Sequence, residues 1–599
     1  MNSWCGIYNQ YTNAKKTEWN DSVFSNDYVS TIRNDFLEVR CPVSQKEAGM
    51  NHENNNYIIF YSGYFFSKNS QDTKSIIIEL YQKYDVDFVK YLSGHFSLVL
   101  FDKLKNILIL AVDKYGVGAI NFGKIGNLIN FSNSLKLFNS NKLEIDPQAI
   151  FYYLDFHVIP QPYSIYKEIK KLQPGEMVLF TQHGYESRRY NQLDYQEISG
   201  SEQKLLAELK ATQENAIRDV CSGLELKHTG AFLSGGIDSS SVVGALTNYA
   251  GAGVNTFSIG FEEEQYNELP FSRIAVNHFQ AIPHEYIVKP NDVFEVIEKI
   301  VAEFGEPFGN SSALPTYYCA KLAKENGIQT LIAGDGGDEL FGGNERYLKD
   351  KIFNMYSGIP RVIRSFLIEG PLKYVNHNTK LTNKIKNFIT RANLGNPERF
   401  FTDDSFGSKY LSKLYEQEFL NRLDINGSLY YLQEIYNEAN AKSELNKLLY
   451  IDMRLAIAGN DLYKVRTMCN SIGVEARFPM LHPSIVNYSL ALPAKMKLKI
   501  FKKRYLYRKY LEGFVPDEII NKKKHGFGLP ISVWLRENDE VQTYFKDNLL
   551  SDNSKLAGIV RRDFIEDLLI EHQKGLWNNA SYLWVLLILE LWLRAYDKA

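Results

Sequence analysis

Cysteine is scarce in this sequence, with five residues among 599 and long intervals between them. The odd number and the wide spacing argue against a disulfide framework, and the lack of any C-x-x-C pair argues against a structural zinc site. A basic segment followed by an apolar stretch is missing from the first residues, so no signal peptide is predicted. We therefore expect a reducing, cytoplasmic location.

Long apolar runs and a dominant charge sign are also missing. The longest apolar run, 582–593, contains Glu590 and is too short to span a bilayer. The formal net charge is −2, so neither a nucleic acid nor an anionic membrane is expected as an obligate partner. Hydrophobic residues make up 45% of the chain and charged residues 23%, which is typical of globular proteins. At this length, several domains are expected.

The arrangement of predicted elements changes near residue 200. Before it, short strands lie close together along the chain with one helix, Thr73–Tyr84, which favours stacked antiparallel sheets in an α+β layered unit. After Lys204, strands alternate with helices, as in an α/β doubly wound parallel sheet. The chain beyond Tyr347 is mostly helical and ends in Trp584–Trp592, a predicted core helix. The predicted strands are 57–61, 96–101, 107–112 and 177–180, then 230–233, 256–260, 285–288 and 330–333.

The strongest motif is the run L-S-G-G-I-D-S-S at 233–240, which follows a predicted strand and precedes a predicted helix. Glycines allow a sharp turn and a close approach to a ligand, and the amides at the start of the helix point at an anion. An aspartate in such a loop suits a divalent cation placed between the carboxylate and phosphates. The run therefore predicts a pyrophosphate and magnesium site. A Walker-type loop at 118–124 is rejected because Ile125 stands where a hydroxyl is needed.

A second motif, A-G-D-G-G-D-E-L-F-G-G at 333–343, also follows a predicted strand. Three acidic residues among five glycines make a poor core segment and a good cation site. Because both loops follow strands of one parallel sheet, we expect them at the same sheet edge.

With further segments in the same order, these motifs resemble the asparagine synthetase family. The matching segments are T-F-S-I-G-F at 256–261, E-P-F at 306–308 with two serines at 311–312, G-V-E-A-R at 473–477 and K-H-G-F-G-L-P at 524–530. The resemblance implies an N-terminal Ntn-hydrolase-like glutamine amidotransferase domain, predicted at 1–195. It also implies an ATP-pyrophosphatase domain with a helical C-terminal part, predicted at 204–599.

The resemblance also implies roles for individual residues, with ATP and Mg²⁺ as the expected cofactors. Asp335 would act near the reacting carboxylate and amine, Lys524 would stabilise the adenylated intermediate, and Asp238 and Asp338 would hold magnesium. The segment 522–528 suits a lid or, alternatively, a solvated basic loop. The expected nucleotide-binding residues are Leu233, Ser234, Gly235, Gly236, Asp238, Ser239, Ser240, Ser258, Gly260 and Gly334.

The N-terminal part departs from the family pattern at its nucleophile. Cys5 matches the family's catalytic cysteine, but 1–4 precede it, and glutaminases of this class need that cysteine's α-amino group as a base. Ser62 stands where an asparagine supports the oxyanion, beside Gly63, whereas Asp72 matches the glutamine-binding position. We therefore expect an impaired glutaminase and a structural role for Cys5 as a small apolar residue.

The C-terminal part also departs from the family pattern. Residues 464–470 differ from the usual Asp-Arg and Ser-Met steps, and His482 replaces an aspartate. Since both phosphate loops are intact, these changes predict an altered acceptor pocket rather than lost ATP chemistry.

Three functional hypotheses follow. The first is an ATP-dependent synthetase that uses glutamine or ammonia to make asparagine or a related amide. The second is a secondary-metabolism member of lasso-peptide cyclase or β-lactam synthetase type, with an inactive glutaminase domain. The third is a non-catalytic ATP-binding scaffold. A small-molecule or peptide carboxylate is the expected substrate, and a homodimer is possible.

Overall fold

The structure is a computed structural model that describes residues 3–8, 28–33, 36–42, 51–66, 72–251, 253–370, 380–403, 405–522 and 528–596. The N-terminal part contains two six-stranded antiparallel sheets. Their strands are β1 (Cys5–Tyr8), β2 (Tyr28–Arg33), β3 (Leu37–Pro42), β4 (Asn51–Glu53), β5 (Tyr57–Phe65), β6 (Gly94–Asp102), β7 (Ile107–Val112), β8 (Asn121–Ile125), β9 (Leu128–Ser132), β10 (Ile169–Lys171), β11 (Glu176–Thr181) and β12 (Gly184–Arg189). The sheet orders are β10-β8-β9-β1-β3-β2 and β12-β11-β7-β6-β5-β4.

Successive side chains along the strands point to opposite faces of the sheets, so this part of the chain is layered. One set of side chains, including Trp4, Phe60 and Phe101, forms a buried cluster shared by both sheets. The helix Thr73–Tyr84 buries Ile77 in a second cluster. This cluster contains the side chains of β5, β6 and β7 that alternate with those of the first cluster and point to the opposite face. The predicted α+β layered sandwich is confirmed, and the helix has the predicted bounds.

The C-terminal part contains a five-stranded sheet whose strands are all parallel. The strands are β13 (Thr229–Phe232), β14 (Asn255–Gly260), β15 (Ile282–Ile287), β16 (Thr330–Ile332) and β17 (Glu475–Arg477), in the order β15-β14-β13-β16-β17. The predicted doubly wound parallel sheet is confirmed. The prediction of a strand at 285–288 was wrong in its bounds, because β15 lies at an edge and its half-exposed side chains give a weak apolar signal.

Helices surround this sheet and make up the rest of the C-terminal part. The α-helices of the described residues are Thr73–Tyr84, Pro147–Phe156, Glu202–Cys221, Ile237–Ala250, Leu269–Phe279, Pro290–Phe304, Ala313–Glu325, Gly337–Phe341, Glu345–Ser357, Arg361–Arg364, Lys380–Ala392, Glu398–Phe401, Phe406–Lys409, Leu411–Leu414, Gln417–Leu420, Gly427–Glu438, Glu444–Asp452, Leu462–Ile472, Pro483–Ala491, Ala494–Lys497, Tyr505–Leu511, Asp517–Ile520, Ile531–Glu537, Asp539–Leu549, Arg562–Gln573 and Ala580–Tyr596, with π-helical turns at Ser365–Glu369 and Met453–Asp461. The last helix is buried in the core, as predicted. Among the described residues, no helix is long and apolar enough to cross a bilayer.

Buried hydrogen bonds join the two parts. The Tyr64 hydroxyl lies 2.7 Å from Nδ1 of His95 and accepts a hydrogen bond from the Phe478 amide at 3.1 Å. His95 Nε2 lies 3.1 Å from the carbonyl oxygen of Leu481. Burial lowers the pKa of His95 to about 4, so the imidazole is neutral at pH 7. The contact is therefore a neutral hydrogen-bonded one. The domain bounds of 1–195 and 204–599 stay predictions.

Candidate functional site

The two glycine-rich loops meet at the carboxyl edge of the parallel sheet. They follow β13 and β16, which are direct neighbours in the sheet. A cavity of about 820 Å³, which we call the nucleotide cavity, opens between them. The predicted site residues that line it are Leu233, Ser234, Gly236, Asp238, Ser239, Gly334, Asp335 and Asp338. The expectation that both loops lie at one sheet edge is thus confirmed.

The first loop presents hydroxyls and backbone amides to the cavity. The helix Ile237–Ala250 begins directly after Gly236, so its first amides have no helical acceptors. The hydroxyl oxygens of Ser234 and Ser239 lie 3.1 Å apart, and the Gly236 amide donates to the Ser234 hydroxyl at 3.3 Å. Amides and hydroxyls at a helix N-terminus suit phosphate oxygens.

Glycines in the second loop leave room for carboxylates that approach its backbone closely. A Cβ atom at Gly337 would collide with the Asp238 carboxylate. A Cβ atom at Gly343 would collide with the Asp338 carboxylate and with the Arg504 guanidinium. The glycines of this motif thus let acidic side chains of both loops converge.

Arg504 joins the two predicted metal ligands. Its Nη1 and Nη2 atoms bind the two carboxylate oxygens of Asp238 at 2.6 and 2.7 Å, and Nη2 also binds Asp338. Burial alone would lower the pKa of Arg504, but the two carboxylates outweigh burial and raise it. Sequence reasoning missed this residue, which lies far from both loops along the chain.

The chemistry of this site fits the expected magnesium ion. Two carboxylates converge on one cationic group, and Mg²⁺ is held by one or two protein carboxylates together with phosphates and water. Within the described residues, no group of three or more His, Cys, Asp or Glu side chains is arranged to hold a metal. Phosphate oxygens would therefore complete the coordination.

In the absence of Mg²⁺, we expect the variant Arg504→Met to unfold at a temperature several degrees lower than that of the native chain. Removing one partner of a buried ionic cluster costs about 3 kcal/mol, because the remaining carboxylates lose their counter-charge. Added Mg²⁺ should raise the unfolding temperature of the variant more than that of the native chain. Calorimetry with and without Mg²⁺ measures both effects. Arg508→Met is the matched control, since Arg508 also lines the cavity but hydrogen-bonds Asn521. An equal response in both variants would contradict the assignment.

Asp335 lies in the same cavity beside the ion pair of buried Lys464 with partly exposed Asp461. Burial raises the pKa of Asp335 to about 6, Lys464 acts to lower it, and the negative charge of Asp461 raises it further. Lys464 binds Asp461 through Nζ at 2.7 Å. A carboxyl group with a raised pKa next to a buried cation is a candidate general base.

Lys522 brings a further positive charge to the cavity. Lys522 binds Glu268 at 2.6 Å, and its Nζ lies 3.5 Å from the carbonyl oxygen of Gly235 in the first loop. Lys522 and Gly528 both line the cavity. Lys524 lies between them and outside the described residues, so its predicted role stays a prediction.

Four other predicted nucleotide-binding residues are not among the described residues that line the cavity. They are Gly235, Ser240, Ser258 and Gly260. Ser258 is buried and donates to the carbonyl oxygen of Leu233 at 2.6 Å, so it supports the wall from behind. Apolar residues on this side, including Phe232, Phe257 and Ile259, line the cavity and suit a nucleobase.

Cys5 lies in the interior of the N-terminal sandwich. It is fully buried and packs against Ile7, Leu128 and Leu137. Trp4 precedes it and is also fully buried; its amide donates to Asn133 Oδ1 at 2.8 Å, and its carbonyl accepts from Ser132. In the described chain, the Cys5 nitrogen is therefore a peptide amide.

The other predicted glutaminase residues do not share a cavity with Cys5 among the described residues. Gly63 lines a second cavity, of about 240 Å³, between the two parts of the chain; among the described residues, neither Cys5 nor Asp72 lines it. Asp72 is exposed directly before the helix Thr73–Tyr84. The Trp4 indole donates to the Ser62 hydroxyl at 3.2 Å, so the residue before Cys5 contacts the predicted oxyanion-supporting position.

The helix Leu462–Ile472 separates the two cavities. Asp461, directly before this helix, lines the nucleotide cavity together with Lys464 and Val465. Tyr463, Arg466, Thr467 and Asn470, at the i, i+3, i+4 and i+7 spacing of one helix face, line the second cavity. The departures from the family pattern at 464–470 thus fall on both sides of this wall.

His482 lies among contacts with Asp219 and Phe66. Its Nε2 lies 3.3 Å from Asp219, its ring packs 4.4 Å from that of Phe66, and its side chain caps the helix Pro483–Ala491. Among the described residues it does not line the nucleotide cavity. The altered acceptor pocket therefore stays a prediction.

Comparisons with known proteins agree with this architecture. A family model described as asparagine synthase matches 225–594, and one described as glutamine amidotransferase domain matches 51–191. Asparagine synthetase [glutamine-hydrolyzing] 1 of Bacillus subtilis is 26% identical over 88% of this chain and 82% of its own length. A Methanocaldococcus jannaschii protein also named for this activity is 31% identical over 62% of this chain and 73% of its own length. Amidase chyE of Penicillium rubens is 21% identical over 77% of this chain and 73% of its own length.

Proposed function

The chain belongs to the asparagine synthase family of carbon–nitrogen ligases, and on this premise we propose that it activates a carboxylate with ATP and couples it to a nitrogen nucleophile. The convergence of Asp238 and Asp338 on one cation, beside a hydroxyl-rich helix N-terminus, is the observation that supports this proposal most. That arrangement suits a nucleoside triphosphate bound with Mg²⁺.

In the first step, an oxygen of the acceptor carboxylate attacks the α-phosphorus of ATP, and pyrophosphate leaves. Amides and hydroxyls of 234–240 would hold the leaving phosphates. Mg²⁺, held by Asp238 and Asp338, would neutralise phosphate charge. Arg504 and Lys522 supply fixed positive charge at the same cavity.

In the second step, an amine attacks the acyl carbon of the adenylate, AMP leaves, and the nitrogen loses a proton. Asp335 is the candidate acceptor of that proton, because its carboxyl faces the cavity and its pKa is raised to about 6. A base with a pKa near the working pH is efficient in proton transfer.

We expect the rate of amide formation to fall about tenfold for each pH unit below the pKa of Asp335, because only the carboxylate form accepts a proton. Lys464→Met should move this acidic limb to higher pH, since it removes a charge that lowers the pKa of Asp335. Asp461→Asn should move it to lower pH, since it removes a like charge. Rate–pH profiles of the three proteins test the assignment. Limbs that coincide in all three would contradict it.

The nitrogen donor we propose is ammonia or another free amine rather than glutamine hydrolysed by this chain. The buried thiol of Cys5, its amide nitrogen and the Trp4 contact at Ser62 support this proposal. Because relatives are named asparagine synthetases, L-aspartate is the first acceptor to test. Formation of AMP and pyrophosphate in the presence of a carboxylate and ammonium tests the function, and turnover of ATP to ADP alone would reject it.

A further inference from the structure

A basic surface with protruding apolar side chains lies next to the nucleotide cavity. It consists of two segments, 345–367 and 495–503, and we call it the basic apolar surface. The segments contact each other, because Lys351 donates to the carbonyl oxygen of Leu498 at 3.3 Å and Lys503 binds Glu345. Since Glu345 and Lys503 also line the nucleotide cavity, the surface begins at the mouth of the candidate site.

The apolar side chains of the first segment share one helix face. Val362, Ile363, Phe366 and Leu367 are spaced so that they lie one turn apart, and all four are exposed. Val362 and Phe366 are each 80% exposed, which is far beyond ordinary packing at a protein surface. A contiguous exposed apolar face of this kind marks an interaction site.

The second segment presents a similar tip. Lys499 and Lys502 form a β-bridge, and the two residues between them, Ile500 and Phe501, are 67% and 54% exposed. Each of the two contacting segments thus carries an exposed apolar tip.

Basic side chains outnumber acidic ones on this surface. The exposed basic residues include Lys349, Arg361, Lys495 and Lys502. The acidic groups nearby contact other side chains: Glu345 binds Lys503, Asp350 binds Arg399, and Glu369 accepts from Tyr356 and Asn393. Glu202 binds Lys509 and also Lys499 of the second segment. The whole-chain charge of −2, on which the expectation of no membrane partner was based, averages over this region.

We propose that the basic apolar surface docks on an anionic lipid bilayer, with its two apolar tips inserted at the headgroup level. Lysine and arginine around apolar side chains are the combination that binds interfaces, by insertion and by attraction to anionic lipids. A second copy of the chain is disfavoured as the occupant, because a two-fold contact would bring like charges together. A lipid-borne carboxylate would then reach the nucleotide cavity directly. This consequence rests on the proposed function, whereas docking on the bilayer does not depend on it.

Sedimentation with vesicles tests the proposal on the full chain. The native chain should bind phosphatidylcholine vesicles that contain 30% phosphatidylglycerol, in about 50 mM salt, and should not bind pure phosphatidylcholine. Arg361→Glu with Lys502→Glu should weaken binding about 25-fold or more, at about fivefold for each basic residue removed. Phe366→Ser with Phe501→Ser should weaken it at least about tenfold.

Matched variants elsewhere on the surface provide the controls. Leu104 is 76% exposed in the N-terminal part, so Leu104→Ser should bind like the native chain. Lys204→Glu with Lys227→Glu should lose at most about fivefold, because these exposed lysines lie outside the surface. Failure of the native chain to bind anionic vesicles would overturn the proposal, as would an equal loss in the controls. Lipid-free self-association that Phe366→Ser with Phe501→Ser abolishes would assign the surface to a second copy instead.

Discussion

Asp238→Asn should lower Mg²⁺-dependent release of pyrophosphate about a thousandfold or more. The carboxylate of Asp238 is one of two that converge on a single cation at the phosphate loop. The neutral amide keeps the shape of the side chain but removes one charge that would hold Mg²⁺. Loss of one preorganised electrostatic contact at a reacting phosphate costs about 10²–10³ in rate, and a weakened metal site adds to this. A coupled assay for pyrophosphate, with the acceptor that supports turnover, measures the effect.

Asp219→Asn is the control for this prediction. Asp219 is a partly exposed aspartate on the helix Glu202–Cys221, and it contacts His482 rather than the nucleotide cavity. Its replacement should leave the rate within about twofold, as expected for surface positions away from the site. If Asp238→Asn retained the native rate at saturating Mg²⁺, the metal assignment would be wrong.

Ammonium should support amide formation at a rate at least about a hundredfold above that with glutamine at equal concentration. A glutaminase of this class needs a free α-amino group as its base, and loss of a positioned base costs about 10²–10⁴ in rate. Here the Cys5 nitrogen is an amide, and the thiol packs against Leu128 and Leu137. Measurement of product with each donor, and of glutamate released, gives the ratio.

Cys5→Ala should leave the ammonium-dependent rate within about twofold, because the side chain has a packing role only. The result depends on the N-terminus of the purified protein, so intact mass must be measured on the same sample. Glutamate release by a chain in which Trp4 still precedes Cys5 would contradict the account.

Local sequence predicted the parts of the site that local sequence determines. The loops at 233–240 and 333–343 follow short apolar strands, and the rule that parallel strands end at one edge was enough to bring Asp238 and Asp338 together. The helix Thr73–Tyr84 followed from its apolar spacing. In each case the signal lies within about fifteen residues of the chain.

Long-range contacts account for what the sequence did not predict. Arg504 reaches the two carboxylates from a position 166 residues beyond Asp338, and no local pattern marks it. The polar strand β17 was missed for the same reason, since it is three residues long and its pairing with β16 comes from distant chain. The contact of His482 with Phe66 also comes from tertiary packing, which its place in the sequence does not indicate. The burial of Trp4 beside Ser62 likewise depends on strand pairing that apolar patterns leave undetermined.

Identification of the nucleotide products tests the central claim most directly. The purified chain would be incubated with Mg²⁺, ATP, ammonium and a set of carboxylates that begins with L-aspartate, and the products separated by chromatography. Adenylation predicts AMP and pyrophosphate in equal amounts, equal also to the amide formed, and their loss in Asp238→Asn. Consumption of ATP to ADP and phosphate, or AMP formation that Asp238→Asn does not affect, would contradict the account.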